Sequence, residues 1–353
     1  MNIYEQQASN RRMTAVIMSV FVLFFLFIGL GFDYFYLNYN PAPSGDGVEW
    51  NAAGGYYQAR RQPVNSKAPL GTIIALLVGG GMALNGLFNG PAMVLRSTMA
   101  RRASPTFDKE KQFLNVVAEM ATAAGLPPPK AYVVPDADLN AFATGTDPEN
   151  SVIAVTQGLL DHLNREELQA VVAHEMAHIR NYDMRLMTVS AALIGAISLI
   201  SDFAGRSMRY GSRAGAGGSS SSGGSGRGKN GGALVLVLFA VWAVLVILAP
   251  LLSRMLAMAI SRSREYLADA SGAELTRNPV ALASALEKIR RAVNPTKAIN
   301  NGVAHMCITD PRGSLIEEKM GLAADLLATH PPMEKRILAL KVMAYQKSRP
   351  QGA

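Results

Sequence analysis

The sequence predicts an α+β protein, mainly helical, held in a membrane by about four apolar segments. Three observations carry this. Uncharged runs of membrane-helix length recur along the chain. Charged residues make up only 17% of it, against 49% hydrophobic, which is little charge for a water-soluble protein. The polar remainder mixes short β-rich runs with amphipathic helical ones. The 353 residues allow one large domain or two modest ones. A single cysteine excludes an internal disulfide framework and any multi-cysteine metal site. The same totals exclude a disordered chain and a coiled coil.

Taken in order, the first segment is Met13–Phe32, 20 residues without a charge, preceded by Arg11 and Arg12 and followed by Asp33. Twenty helical residues span about 30 Å, the thickness of a bilayer core. The run is long for a cleaved signal peptide and no small-x-small cleavage site follows it, so it reads as a retained anchor. The stretch 33–67 reads as an irregular loop whose aromatics, Tyr34, Phe35, Tyr36, Tyr39 and Trp50, suit a membrane interface. The second segment, Ala68–Leu95, has 28 uncharged residues and is rich in glycine, which lets membrane helices approach closely; Pro91 is placed just beyond the span. The third, 186–201, has only 16 uncharged residues and is a tilted partial span, a re-entrant piece or a core helix. A Gly/Ser-rich linker at 205–232 has the composition of a flexible connector. The fourth segment, 233–260, contains most of the 24 uncharged residues between Lys229 and Arg254. The predicted organisation is a two-helix anchor at 1–95, a first half-domain at 96–183, a membrane hairpin at 184–261 and a second half-domain at 262–353.

Within the half-domains, Phe107–Ala124 reads as an amphipathic helix ended by Gly125 and three prolines. Lys130–Val134, Leu139–Ala143 and Ser151–Thr156 read as strands, the last two paired across a turn at 145–150. Arg165–Met187 reads as one helix. Pro279–Val293 reads as another, capped by Asn278.

The helix at 165–187 contains His174-Glu175-Met176-Ala177-His178, the HExxH pattern. There are only five histidines in the chain, so this spacing is a rare coincidence. Positions i and i+4 share one helix face, so both imidazoles reach one ion. Catalytic zinc takes three protein ligands and a water, and a glutamate beside the first histidine is placed to accept that water's proton. Leu168, Val171 and Val172 set this helix against a core rather than in solvent. The third ligand is open among Glu265, Cys307, His162, His305 and His330. By local pattern Glu265 leads, because Arg264-Glu265-Tyr266-Leu267-Ala268-Asp269 puts two carboxylates on one helix face. One could bind metal while the other, Asp269, orients a ligating histidine.

These motifs, with Asn140-Ala141-Phe142-Ala143, Thr329-His330-Pro331-Pro332 and Arg336, resemble the HtpX-type membrane zinc metalloproteases, in the wider family that includes the CAAX prenyl endoproteases. The resemblance covers nearly the whole chain. It implies one Zn(2+) per subunit, with His174, His178 and Glu265 as ligands, Glu175 as catalytic base and Asp269 as a supporting residue. It supports His330 and Arg336 as donors to the oxyanion. It also implies a quality-control protease of a bacterial inner membrane whose substrates are misfolded membrane proteins. Asn140, Ala141 and Phe142 are assigned to substrate binding, since an extended peptide can pair with an edge strand through its backbone. The loop at 33–67 and the Gly/Ser linker are longer than the family pattern.

Arg11 and Arg12 before the first segment, and Arg96, Arg101 and Arg102 after the second, place the amino end and the catalytic domain in the cytoplasm. The linker's Arg206, Arg209, Arg213, Arg227 and Lys229 oppose an external linker, a conflict that an embedded third segment removes. The net charge of +8 suits an anionic lipid bilayer. No nucleic-acid module or phosphate loop is found, and no feature sets the oligomeric state. Two alternatives stand beside the endopeptidase: a CAAX-type prenyl-peptide protease, for which four apolar segments are few, and a non-enzymatic membrane adaptor with a structural metal, which has no use for Glu175.

Overall fold

The structure, a computed structural model, describes residues 3–35, 47–51, 56–60, 68–194, 264–292, 303–309 and 331–348. The described residues fall into two compact units. One holds the chain up to Met18 and from Met82 onward, and the other holds the stretch Ser19–Gly81. The remainder of the third apolar segment, the Gly/Ser linker, the fourth segment and His330 lie outside the described residues.

Helix α1 (Ile3–Phe35) and helix α2 (Leu70–Ser97) are long and apolar enough to cross a membrane. Apolar side chains such as Leu23 and Leu77 point away from the protein, as lipid-facing residues do. Pro91 lies inside α2, not beyond it. A membrane helix tolerates an interior proline where a neighbouring element shields the freed carbonyl. In the unit Ser19–Gly81, Asp33 caps the start of α2 from the other helix. Its carboxylate accepts from the Gly71 and Thr72 backbone N–H groups, each at 2.7 Å, and from the Thr72 hydroxyl. These are donors that no helix can satisfy within its own first turn. Gly29 permits close approach, because a Cβ there would sit 2.6 Å from Thr72 Cα. The segment expected to be irregular contains a hairpin: β1 (Gly47–Asn51) pairs antiparallel with β2 (Tyr56–Arg60).

The larger unit is built on a four-stranded sheet of β3 (Arg101–Arg102), β4 (Lys130–Val134), β5 (Ala141–Gly145) and β6 (Ser151–Thr156), in the order β3-β4-β6-β5. β4 runs parallel to β6, and β5 antiparallel to it, Ala141 opposite Val155. Every residue of β6 is buried, because both faces of the sheet are covered. Ile153 and Val155 face a core shared with α3 (Asp108–Ala124), α5 (Arg165–Arg180) and α8 (Pro279–Arg291). Ala154 and Phe142 face the opposite way, onto Val94 of α2, Met187, Ala191, Met306 and Cys307. Period-two alternation thus feeds two cores from one strand.

That second core bears on the third apolar segment. Residues 183–194 form helix α6, and Leu186, Val189 and Ala191 are buried in protein, so the described part is a core helix beside the sheet. The expected single helix at 165–187 is two. α5 ends at Arg180, and Tyr182 has a left-handed backbone with φ of 60° that interrupts the hydrogen-bond ladder before α6 begins.

α5 opens with a capping box. Asn164 Oδ1 accepts from Glu167 N, and Glu167 Oε2 accepts from Asn164 N, each at 2.9 Å. Glu167 also accepts from Ser284 and Lys288 of α8, tying that helix to the first turn of α5. Asn278 caps α8, as its sequence position suggests. Helix α7 (residues 264–276) lies against α5, and α9 (Met333–Ser348) packs on α8.

Candidate metal centre

The buried middle of α5 carries the site. His174 and His178 are one turn apart, their rings edge to face with centroids 4.9 Å apart. α7 brings Glu265 to them from far along the chain. His174 Nε2 lies 3.6 Å from Glu265 Oε2, and His178 Nε2 lies 3.5 Å from Glu265 Oε1. One ligand atom from each residue falls within 4.8 Å of the other two. Ligands about 2.1 Å from a tetrahedral zinc ion stand about 3.4 Å apart, so this spacing fits one ion. His174, Glu175, His178, Glu265 and Asp269 are all buried.

Contact between α5 and α7 depends on Gly272. A Cβ there would sit 3.0 Å from His174 N and 3.1 Å from its Cα. With no side chain at 272, α7 lies close enough to α5 for Glu265 to reach both imidazoles.

Each histidine turns its other nitrogen toward a second carboxylate. His174 Nδ1 is 3.0 Å from Asp269 Oδ1, and His178 Nδ1 is 3.4 Å from Asp183 Oδ2. This is the usual arrangement of a metal-binding imidazole, whose far N–H is held by an anionic group. Asp183 went unnoticed in the sequence, although an acid five residues after HExxH and next to an apolar run was a visible signal. Asp183 Oδ1 is in turn 3.4 Å from Arg264 Nε.

Arg336 comes into the centre from α9, fully buried. Its Nε and Nη2 donate to Asp269 at 2.8 and 2.7 Å, and Nη1 donates to Ile308 O at 2.9 Å and lies 3.1 Å from Glu265 Oε2. Each of its three nitrogens is engaged, so Arg336 supports the carboxylates from behind.

The electrostatics follow from this crowding. Burial disfavours the His174 imidazolium, but Asp269 and Glu265 outweigh burial and raise its pKa from 6.5 to about 9. Burial also pushes the Asp269 carboxyl up, and Arg336 more than reverses this, leaving it at about 2. The Glu175 carboxyl is raised, by burial first of all. Carboxylates of Glu175, Asp183, Glu265 and Asp269 outnumber the guanidinium groups of Arg264 and Arg336 in this cluster, which favours a bound cation. His174 Nε2 and Glu175 Oε2 are buried without a hydrogen-bond partner among the described residues. Buried polar atoms left in that state are costly, and a metal ion with its water supplies what they lack. The residues therefore fit a divalent metal.

The other ligand candidates are elsewhere. His162 Nδ1 bonds Gly158 O on α4 (Gln157–His162), His305 Nε2 bonds Met187 O, and Cys307 Sγ faces Val303 O. Asn140 immediately precedes β5 and Ala141 and Phe142 open it; the strand packs against α5, and all three residues are buried. The outer edge of β5 at these residues is already covered. Ile308 N donates to Ala141 O at 2.9 Å, Phe142 bridges Cys307, and Asn140 Nδ2 donates to Thr309 O at 3.2 Å.

Residues 108–344 match the model of peptidase family M48. A protease HtpX homolog from Streptococcus equi subsp. zooepidemicus is 41% identical over 274 residues, covering 78% of this chain and 86% of that one. A protease HtpX homolog from Streptococcus uberis is 36% identical over 341 residues, covering 97% of this chain and 100% of its own length. A crystal structure of S. mikatae Ste24p aligns with a TM-score of 0.43 at 20% identity, over 78% of this chain and 59% of that one. With the family match spanning most of the sequence and the HtpX homologs covering nearly all of it, the chain belongs to peptidase family M48 and is an HtpX-type membrane metalloprotease.

Proposed function

We propose that the chain is a zinc endopeptidase with one Zn(2+) per subunit. His174, His178 and Glu265 are its ligands and Glu175 is its general base. The observation that carries this is the convergence of two imidazole Nε2 atoms on one carboxylate, with Glu175 buried beside them. Bound there, zinc would supply Lewis-acid polarisation of a water and of the scissile carbonyl. Glu175 takes the proton from that water at its carboxylate and delivers it to the leaving amine. Asp269 orients His174, and Arg336 is a positioning residue that fixes Asp269 and Glu265. By family resemblance, His330 is the donor to the oxyanion. Asn140, Ala141 and Phe142 act on substrate only if the 303–309 segment leaves the edge of β5.

The same resemblance supports misfolded membrane proteins as substrates, a quality-control role, and a site in the inner membrane of a bacterium with the catalytic part facing the cytoplasm. The end of α1 up to Met18 and the chain from Met82 onward belong to one unit, which supports an anchor that leaves and returns on one side. A structural-metal adaptor has no use for a buried carboxylate beside the ion without a hydrogen-bond partner. The test is Glu175→Gln in the full chain, reconstituted in lipid with an unfolded membrane protein as substrate. Zinc content is expected to stay at one per chain while cleavage falls by about 10²–10⁴-fold or more. Cleavage at the wild-type rate would overturn the reading, as would a wild-type chain without zinc.

A further inference from the structure

Asn10 is a polar side chain near the start of a membrane helix, yet it is only 2% exposed. Its partners lie far along the chain. Nδ2 donates to Asn181 O at 2.9 Å and to Asp183 Oδ1 at 2.6 Å, so both amide protons are engaged. Asn181 caps the metal-binding helix, and Asp183 holds the imidazole of His178 through its other oxygen at 3.4 Å. Between them stands Tyr182 with its left-handed backbone, a conformation that is unfavourable for a non-glycine residue and persists only where its surroundings enforce it. The Arg11 guanidinium lies over the Tyr182 ring, 4.9 Å from its centroid.

From these contacts we infer that Asn10 is a positioning residue of the metal centre, acting through Asp183 on His178, so that the first membrane helix is a working part of the site. The inference rests on the metal-site reading above. Apolar packing alone would hold α1 against the 181–183 turn without orienting anything. An amide with both protons placed does more. It fixes one oxygen of Asp183, so the other is presented to Nδ1 and Nε2 is aimed toward Glu265. Without it, Oδ1 keeps the longer contact to Arg264 Nε at 3.4 Å, and the carboxylate is held less firmly against His178. Partners one step behind a ligand commonly change metal affinity by about 10–100-fold, and Asn10 stands one step further back.

The test uses the full chain, purified in detergent as a monodisperse fraction and titrated with Zn(2+) and with Co(2+). Asn10→Leu keeps the branched shape and the number of side-chain heavy atoms and removes both donors. It is expected to weaken zinc binding by about tenfold and to shift or broaden the visible Co(2+) absorption. In an Asp183→Asn background, Asn10→Leu is expected to add little, because both act on the same imidazole. Thr14→Val, a buried neighbour on α1, is expected to match the wild type. Wild-type affinity and spectrum in Asn10→Leu, or losses that simply add to those of Asp183→Asn, would overturn the inference. If Asn10→Leu does not fold, Asn10→Ser, with one donor left, is read the same way. A wild-type chain that binds no metal sinks the metal-site reading and this inference together. Binding that His178→Ala abolishes and Asn10→Leu leaves untouched sinks this inference alone.

Discussion

His174 stands between two carboxylates, Asp269 and Glu265, that favour its charged form. In the metal-free protein they hold its proton up to about pH 9, against 6.5 when unfolded. The metal-free protein therefore gains stability from that proton, fully below pH 6.5 and lost as the pH rises through about 9. Asp269 works in the opposite sense: lowered from 3.8 to about 2, it adds stability above pH 3.8 that disappears as the pH falls through about 2. Zinc must displace the His174 proton, because only the neutral imidazole is a ligand. Calorimetric titration of the metal-free chain with Zn(2+) at pH 7.5, in buffers of different ionisation enthalpy, should show release of about one proton per ion, and apparent affinity should rise with pH toward 9. Binding with no proton exchanged would mean that His174 is neutral in the metal-free state. At this scale the HExxH spacing singled out both imidazoles and Glu175, because a four-residue spacing on a helix is local geometry. Arg336 donates to Asp269 and Ile308 O and lies beside Glu265, contacts that its place in the sequence does not disclose.

Among the elements, the close pairing of α5 with α7 decides whether a third ligand exists. Gly272→Ala tests it. The added methyl would meet His174 N at 3.0 Å, and backbone on both sides leaves little room to give. Overpacking of this kind costs about 1–3 kcal/mol, and displacement of α7 moves Glu265 with it. The variant should therefore melt earlier and bind zinc less tightly, while Thr276→Ala, one turn further along α7, should keep near wild-type zinc affinity. An unchanged zinc affinity in Gly272→Ala would show that α7 has slack. Periodicity foretold α3, α8 and the β5–β6 pair because each is amphipathic or alternating over its own length. It missed the break at Tyr182, since a left-handed tyrosine is enforced by remote contacts and leaves no local trace. The hairpin at 47–60 was missed for a related reason: its strands are short and lack an Asn-Gly or Asp-Gly turn.

For the whole molecule, anchor and peptidase are joined by more than covalent linkage. Val94 of α2 packs in the same cluster as Phe142 and Ala154 of the sheet, and Asn10 of α1 bonds Asp183. The proposed topology predicts that exposed positions on α1 and α3 share one side of the membrane. Ser9→Cys and Lys111→Cys are suited to the test, because both positions are exposed and the native Cys307 is buried. An impermeant maleimide should label both in inverted vesicles and neither in intact cells. Labelling of the two from opposite sides would refute a catalytic part on the same side as the amino end.

Chain order alone determined the membrane helices, the amphipathic elements and the pair of imidazoles, since each depends on residues within a few turns of one another. Tertiary structure alone decided that Glu265 meets the two imidazoles, that Arg336 braces carboxylates, that Asp183 and Asn10 stand behind His178, and that residues 183–194 face protein. Apart from Asp183 with His178, five positions apart across the Tyr182 turn, those outcomes depend on distant contacts, 67 positions for Arg336 with Asp269 and 173 for Asn10 with Asp183. No periodicity encodes such contacts, because they form only when buried charges must find partners inside a closed core.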